Sequence, residues 1–257
     1  MQARARLASL LWRALSIASL TTLTLFVPSP AISSARAGGV SQAGRVTRLS
    51  NLTTLSHWAY PETAAAVHSA PAARSPVIGH LRMLTPDGQA QPYLALRSFS
   101  AGSSASSAWV LVPLPGRPNG REGWVAARAL GELHATREYL RINRETLRAT
   151  LFRGRRPIWS APVGLGRPSL PTPAGHFYVI EKLISVGSPI YGPYALGTSA
   201  YAPTLSEWPG GGVVGIHGTN EPQLIPGRPS HGCIRVRDTA MARLWQIAQI
   251  GTPVEIV

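Results

Sequence analysis

Cysteine is almost missing from this sequence: among 257 residues only Cys233 is present. A lone cysteine cannot form an internal disulfide, so Cys233 is either a small buried hydrophobe or a reactive thiol. It lies far from the N-terminus, which excludes a lipid-anchor cysteine. Acidic residues are also scarce, with 11 Asp and Glu against 25 Lys and Arg and a formal net charge of +14. Lysine is nearly absent, Lys182 being the single one. A basic balance points to an anionic partner. The arginines form no long run and accompany no RNP-type or helix-turn-helix signature, which argues against nucleic acid. An anionic cell envelope and a basic surface with no specific partner are left, the second favoured for most of these residues. No zinc-finger or zincin spacing occurs, so no metal site is expected. No internal repeat is visible.

What the sequence does contain begins at the N-terminus. Arg4, Arg6 and Arg13 precede an uncharged, mostly apolar stretch at residues 14–27. Ala35-Arg36-Ala37 then supplies a small-x-small cleavage pattern. The apolar stretch is short for a membrane span of roughly 20 residues. Residues 1–37 are read as a secretory signal peptide, with an uncleaved anchor as the alternative. Either reading places the body of the protein outside the cytoplasm, wall-associated or secreted.

Residues 38–57 are polar and read as a linker. From residue 58 short apolar runs alternate with turn residues: Val77-Ile78-Gly79, Pro86-Asp87-Gly88, Tyr93-Leu94-Ala95-Leu96 and Trp109-Val110-Leu111-Val112. Proline presets φ and glycine takes φ > 0, so Pro86-Asp87-Gly88 is a turn. Residues 102–107 form a Gly/Ser loop. Short strands at this spacing suggest a small β-barrel. The stretch ending in Gly123-Trp124-Val125 resembles bacterial SH3-like domains, and residues 58–132 are assigned to one. Trp109 and Trp124 are read as core-packing residues.

A second unit covers residues 137–257. Leu140-Arg141-Ile142, His176 to Ile180 and Gly212 to Ile216 read as strands. Residues 185–209, rich in Gly, Pro and Tyr, read as a long loop, a functional feature in a compact domain. Asp238 reads as the N-cap of one helix bearing Met241, Leu244, Trp245 and Ala248 on one stripe, with Gly251 at its C-terminal cap. Residues 254–257 form a closing strand.

The chemistry concentrates between His217 and Arg235. His217 ends an apolar strand, a rigid mount for a base. A Pro/Gly-rich loop then leads to Ser230-His231-Gly232-Cys233-Ile234-Arg235. A thiol is a weak nucleophile until it ionises, and nearby imidazole or cationic groups lower its pKa. The N–H groups around Gly232 and Cys233 can face a developing oxyanion. The same residues also permit a structural cysteine, satisfied buried histidines, or a zinc site.

This stretch resembles the L,D-transpeptidase family, or YkuD domain. The family's signature is a His-Gly motif, a gap, then Ser-His-Gly-Cys followed by an aliphatic residue and Arg. Pro171-Thr172-Pro173-Ala174-Gly175-His176-Phe177 and Gly251-Thr252-Pro253-Val254 extend the likeness. One departure is Asp238, where the family often has Asn. The resemblance implies a mainly β fold, a sandwich with one short helix. It implies Cys233 as nucleophile and His217 as proton acceptor and donor, oriented by the Gly218 carbonyl. Ser230, His231 and Gly232 support the site, with Arg235 nearby as an electrostatic or structural support that can contact substrate. Apart from the resemblance, the 185–209 loop is expected to act as a lid over the donor stem, with Tyr191 and Tyr194 contacting substrate; an ordered surface loop is the alternative. The resemblance further implies a thioester on Cys233, with peptidoglycan stem peptides as donor and an amine as acceptor, giving 3→3 cross-links, and inhibition by carbapenems. No cofactor is expected, and a monomer is. Hydrolysis of the same acyl-enzyme and an inactive wall-binding protein are the alternatives. A papain-like endopeptidase is disfavoured, because its Cys precedes its His.

Overall fold

The computed structural model describes residues 44–101, 107–184, 188–205 and 209–257. The expected signal peptide, the start of the expected linker and parts of the 102–107 and 185–209 loops lie outside the described residues. The N-terminal half contains β1 (Arg45–Arg48), β2 (Ser56–Ala59), β3 (Ala66–His68), β4 (Val77–His80), β5 (Tyr93–Ala95), β6 (Arg97–Ser100), β7 (Trp109–Pro113), β8 (Glu122–Ala126) and β9 (His134–Thr136). They form a six-stranded sheet in the order β1-β6-β7-β8-β3-β4 and a three-stranded sheet in the order β5-β2-β9. Side chains alternate across a strand, and Val110, Val112 and Val125 accordingly enter a core with Val67, Leu81 and Tyr93. Trp109 and Trp124 fall on the opposite face, half-buried, edge-on to His68 and Phe99 respectively. They pack, but outside the core. The linker reading needs correcting: β1 pairs with β6, and β2 pairs with both β5 and β9. The polar character of this stretch reflects an edge strand with every residue exposed. The Pro86-Asp87-Gly88 turn is present, with Gly88 at φ 80° and its N–H donating to Thr85.

The C-terminal half is one ten-stranded sheet. Its strands are β10 (Glu138–Asn143), β11 (Arg148–Arg153), β12 (Arg156–Pro162), β13 (Gly164–Gly166), β14 (Gly175–Ile184), β15 (Tyr194–Tyr201), β16 (Val213–His217), β17 (Gly227–Ser230), β18 (Ile234–Arg235) and β19 (Pro253–Ile256), with a helix α1 (Asp238–Ile247) before the last. Their order is β12-β11-β10-β19-β14-β15-β16-β18-β13-β17. The core joins Leu140, Ile142 and Leu151 to Val179, Leu196, Ile216 and Ile234, with Met241 and Leu244 of α1. The molecule is mainly β with one helix among the described residues.

Three sequence expectations change here. Residues 194–201, placed in a loop, form the interior strand β15, paired with β14 and β16. Its glycines and tyrosines concealed it, yet Gly197 is required because Glu181 of β14 fills the space where a side chain would stand. Asp238 is the first residue of α1, not its cap; Arg237 holds the cap position with no side-chain hydrogen bond. Gly251 lies beyond the Ala248 cap, at φ 77°, with the Trp58 ring packed against its Cα.

Candidate active site

The site is built where two parallel strands end side by side. β16 and β18 pair with Ile216 opposite Ile234 and His217 opposite Arg235. Ile216 and Ile234 are fully buried, which locks this register. His217 closes one strand and Cys233 immediately precedes the other. Both line a cavity of about 190 Å³ with Tyr191, Ser230, His231, Gly232 and Arg235. The free Cys233 is half-buried, and its thiol lies 4.0 Å from the Val213 carbonyl.

His217 is 4% exposed. Its Nδ1 lies 2.6 Å from the Gly218 carbonyl, an acceptor only, so Nδ1 carries the proton and Nε2 keeps its lone pair. Burial lowers the His217 pKa to about 4, against the opposing Gly218 bond, with the Arg235 charge adding to the decrease. Burial likewise pushes the Cys233 thiol up, opposed by the main chain of Gly215 and the charge of Arg235. The resting pair is therefore a thiol and a neutral imidazole. The sequence led us to expect a thiol of lowered pKa; the surrounding apolar strands reverse that sign.

Ser230 and Gly232 shape the turn before Cys233. Ser230, 2% exposed, donates from Oγ to the Cys233 carbonyl at 2.6 Å and accepts the Gly232 N–H at 3.1 Å. The Gly232 N–H is thus committed within the turn, which corrects its expected place among the oxyanion donors. Gly232 has φ 125°, and a Cβ there would meet nothing closer than 3.7 Å. Backbone conformation, not close approach, demands glycine. Thr172 supports this turn from a distance in sequence. Its hydroxyl accepts the Gly166 N–H and donates to the Gly232 carbonyl, both at 2.8 Å, tying β13 to the turn.

Arg235 donates to Glu221 at 2.6 Å while lining the cavity. His231 also lines it, with a pKa lowered by burial and by Arg167 and Arg235. Tyr191 stands edge-on to the His217 ring at 4.9 Å. Tyr194 does not join them: it packs on Trp245 of α1, centroids 5.0 Å apart. Its expected substrate role is withdrawn. Asp238, read as a cap, instead accepts the Thr219 N–H at 2.8 Å and packs against Gly218. Among the described residues no three His, Cys, Asp or Glu side chains gather as a metal site.

Residues 137–256 match the family model of YkuD, the L,D-transpeptidase catalytic domain. This part of the chain is similar to that domain. The YkuD protein of Bacillus subtilis, provisionally named an L,D-transpeptidase, is 34% identical over 107 residues, 42% of this chain and 58% of that protein. Its counterpart in Bacillus licheniformis is 32% identical over 115 residues, 45% of this chain and 61% of its own length. The chain therefore spans about three fifths of these relatives. A solved structure of the Enterococcus faecium L,D-transpeptidase catalytic domain acylated by ertapenem is 26% identical, covering 48% of this chain and 99% of that one, with a TM-score of 0.38.

Proposed function

We propose that the protein is a cysteine L,D-transpeptidase that works through an acyl-enzyme on Cys233. The observation carrying this reading is the meeting of Cys233 and a tautomer-fixed His217 in one cavity. His217 Nε2 removes the thiol proton as Sγ attacks the carbonyl of the third residue of a peptidoglycan stem. The Cys233 N–H faces the oxyanion that forms. The C–N bond to the fourth residue, D-alanine, then breaks, and the imidazolium returns its proton to the departing amine. An acceptor amine attacks the thioester, His217 takes up its extra proton, and the thiol is regenerated on release of the new amide. With a stem side chain as acceptor the product is a 3→3 cross-link.

Because both partners rest neutral, proton transfer accompanies attack instead of preceding it. Tyr191 closes one side of the imidazole, and Arg235 places positive charge where the oxyanion grows. We further propose export through the N-terminal segment, action as a monomer, and an SH3-like role for the N-terminal sheets in meeting the anionic wall. The test is product analysis after incubation with a tetrapeptide-stem muropeptide. Release of D-alanine with a cross-linked dimer is expected. Tripeptide without dimer points to hydrolysis of the same intermediate, and an unconsumed substrate contradicts the proposal.

A further inference from the structure

The wall of the Cys233 cavity is held from outside the catalytic domain. The segment after β7 doubles back through Leu114 N–H donating to Arg121 at 2.8 Å. This places Arg117 and Asn119 over the end of β15. Arg117 donates from Nε to the Ala202 carbonyl at 2.8 Å, from Nη1 to Gly211 at 2.9 Å and from Nη2 to Leu205 at 2.6 Å. Its guanidinium also lies 5.3 Å from the centre of the Tyr201 ring. Asn119 pairs with the Tyr201 main chain in both directions, donating to the carbonyl at 2.7 Å and accepting the N–H at 2.9 Å.

The carbonyls gathered by Arg117 belong to the segment that borders the nucleophile. Ala202, Leu205 and Gly212 line the cavity with Cys233. The Ala202 N–H donates to the Gly212 carbonyl at 2.8 Å, closing the mouth of the segment. Gly212 has φ 83°, and the space of its missing Cβ is taken by the Leu205 carbonyl and the Arg117 guanidinium. Three convergent carbonyls need one planar, multidentate donor, which arginine supplies and lysine does not. The sequence shows no link between Arg117 and the catalytic motif, 116 residues downstream at Cys233.

We propose that Arg117 is a positioning residue for the catalysis described above, fixing the Ala202–Leu205–Gly212 wall and through it the hold on the donor peptide. The N-terminal unit is then a structural part of the active site. The proposal rests on the transpeptidase reading, so its test has one arm independent of that reading. In the full chain, Arg117→Ala should speed hydrogen exchange at residues 202–205 and 211–213 and leave β10 and β11 unaffected. It should raise KM for the tetrapeptide about tenfold, as misplacement of a substrate-positioning wall does, with a smaller change in kcat. Arg117→Lys should recover only part of the KM effect.

A lowered melting temperature with unchanged KM and unchanged exchange in these segments would overturn the proposal and leave Arg117 a mere docking contact. If wild-type protein is not acylated by the tetrapeptide, the transpeptidase reading fails, while the exchange arm still decides whether Arg117 holds the wall. Should Arg117→Ala not fold, Asn119→Ala gives the same exchange comparison through Tyr201.

Discussion

Burial and charge act in opposite directions on Cys233: burial holds its proton on, while Arg235 and the Gly215 main chain favour its loss. Burial prevails, so iodoacetamide should alkylate Cys233 slowly near neutral pH, with a rate that climbs only above the ordinary cysteine range. Equal rates for Cys233 and a free cysteine at neutral pH would contradict this. His217, at about 4, stays neutral and basic where an ordinary histidine is already protonated. Acylation by substrate should therefore persist as the pH falls through 6.5 and decline only toward about 4. A limb near 6.5 would show that the base lies elsewhere. His217→Ala should cost ~10²–10⁴-fold in acylation rate, whereas His231→Ala, at the rim of the pair, should cost much less. That Cys233 and His217 share one cavity was legible from the His-Gly and Ser-His-Gly-Cys motifs. The sign of their pKa shifts was not, because it is set by fully buried Ile216 and Ile234 and by strands remote in sequence.

The site's elements are joined by short polar ties at the ends of strands. Asp238, at the start of α1, holds the Thr219 N–H and packs against Gly218, whose carbonyl orients His217. Asp238→Ala should release that carbonyl and lower kcat on the order of tenfold to a hundredfold, as displacement of a catalytic group does. Asp238→Asn keeps an acceptor for Thr219 and should restore most of it. Equal kcat in Asp238→Ala and wild type would remove Asp238 from the positioning of His217. In sequence Asp238 looked like a helix cap, since caps and strand-end ties use the same residue types. β15 was hidden for a related reason: Gly197 satisfies a packing need against Glu181 and reads, out of context, as loop punctuation. Strand alternation in β10 and β11, with Leu140, Ile142, Ala149 and Leu151 all buried, was plain from the residues.

At the scale of the molecule, the two halves share a small apolar seam of Leu94, Tyr178 and Ile180, flanked by Trp58. Beside it Glu181 is 1% exposed, and its pKa is raised to about 7 by burial, with the Asp87 charge adding and the Thr85 hydroxyl opposing. The folded protein thus holds a proton that the unfolded chain, near 4.5, has lost. The stability this group contributes is complete below about 4.5 and is lost as the pH rises through about 7. Glu181→Gln should remove that slope, so the difference in stability between variant and wild type should grow across this window. A constant difference would show that Glu181 is ionised at the seam. Nothing in the sequence marks Glu181 and Asp87 as neighbours or ties Arg117 to the end of β15. Both approaches join segments remote in sequence, a matter of tertiary geometry.

The central claim is a covalent intermediate on Cys233 formed with the help of His217. Intact-protein mass spectrometry after acid quench of a reaction with a tetrapeptide-stem muropeptide tests it most directly. A mass increase equal to the donor less D-alanine is expected, located on the peptide containing Cys233, absent from Cys233→Ser and slow to appear in His217→Ala. Turnover of the muropeptide by Cys233→Ser at the wild-type rate, or an adduct on another residue, would contradict it.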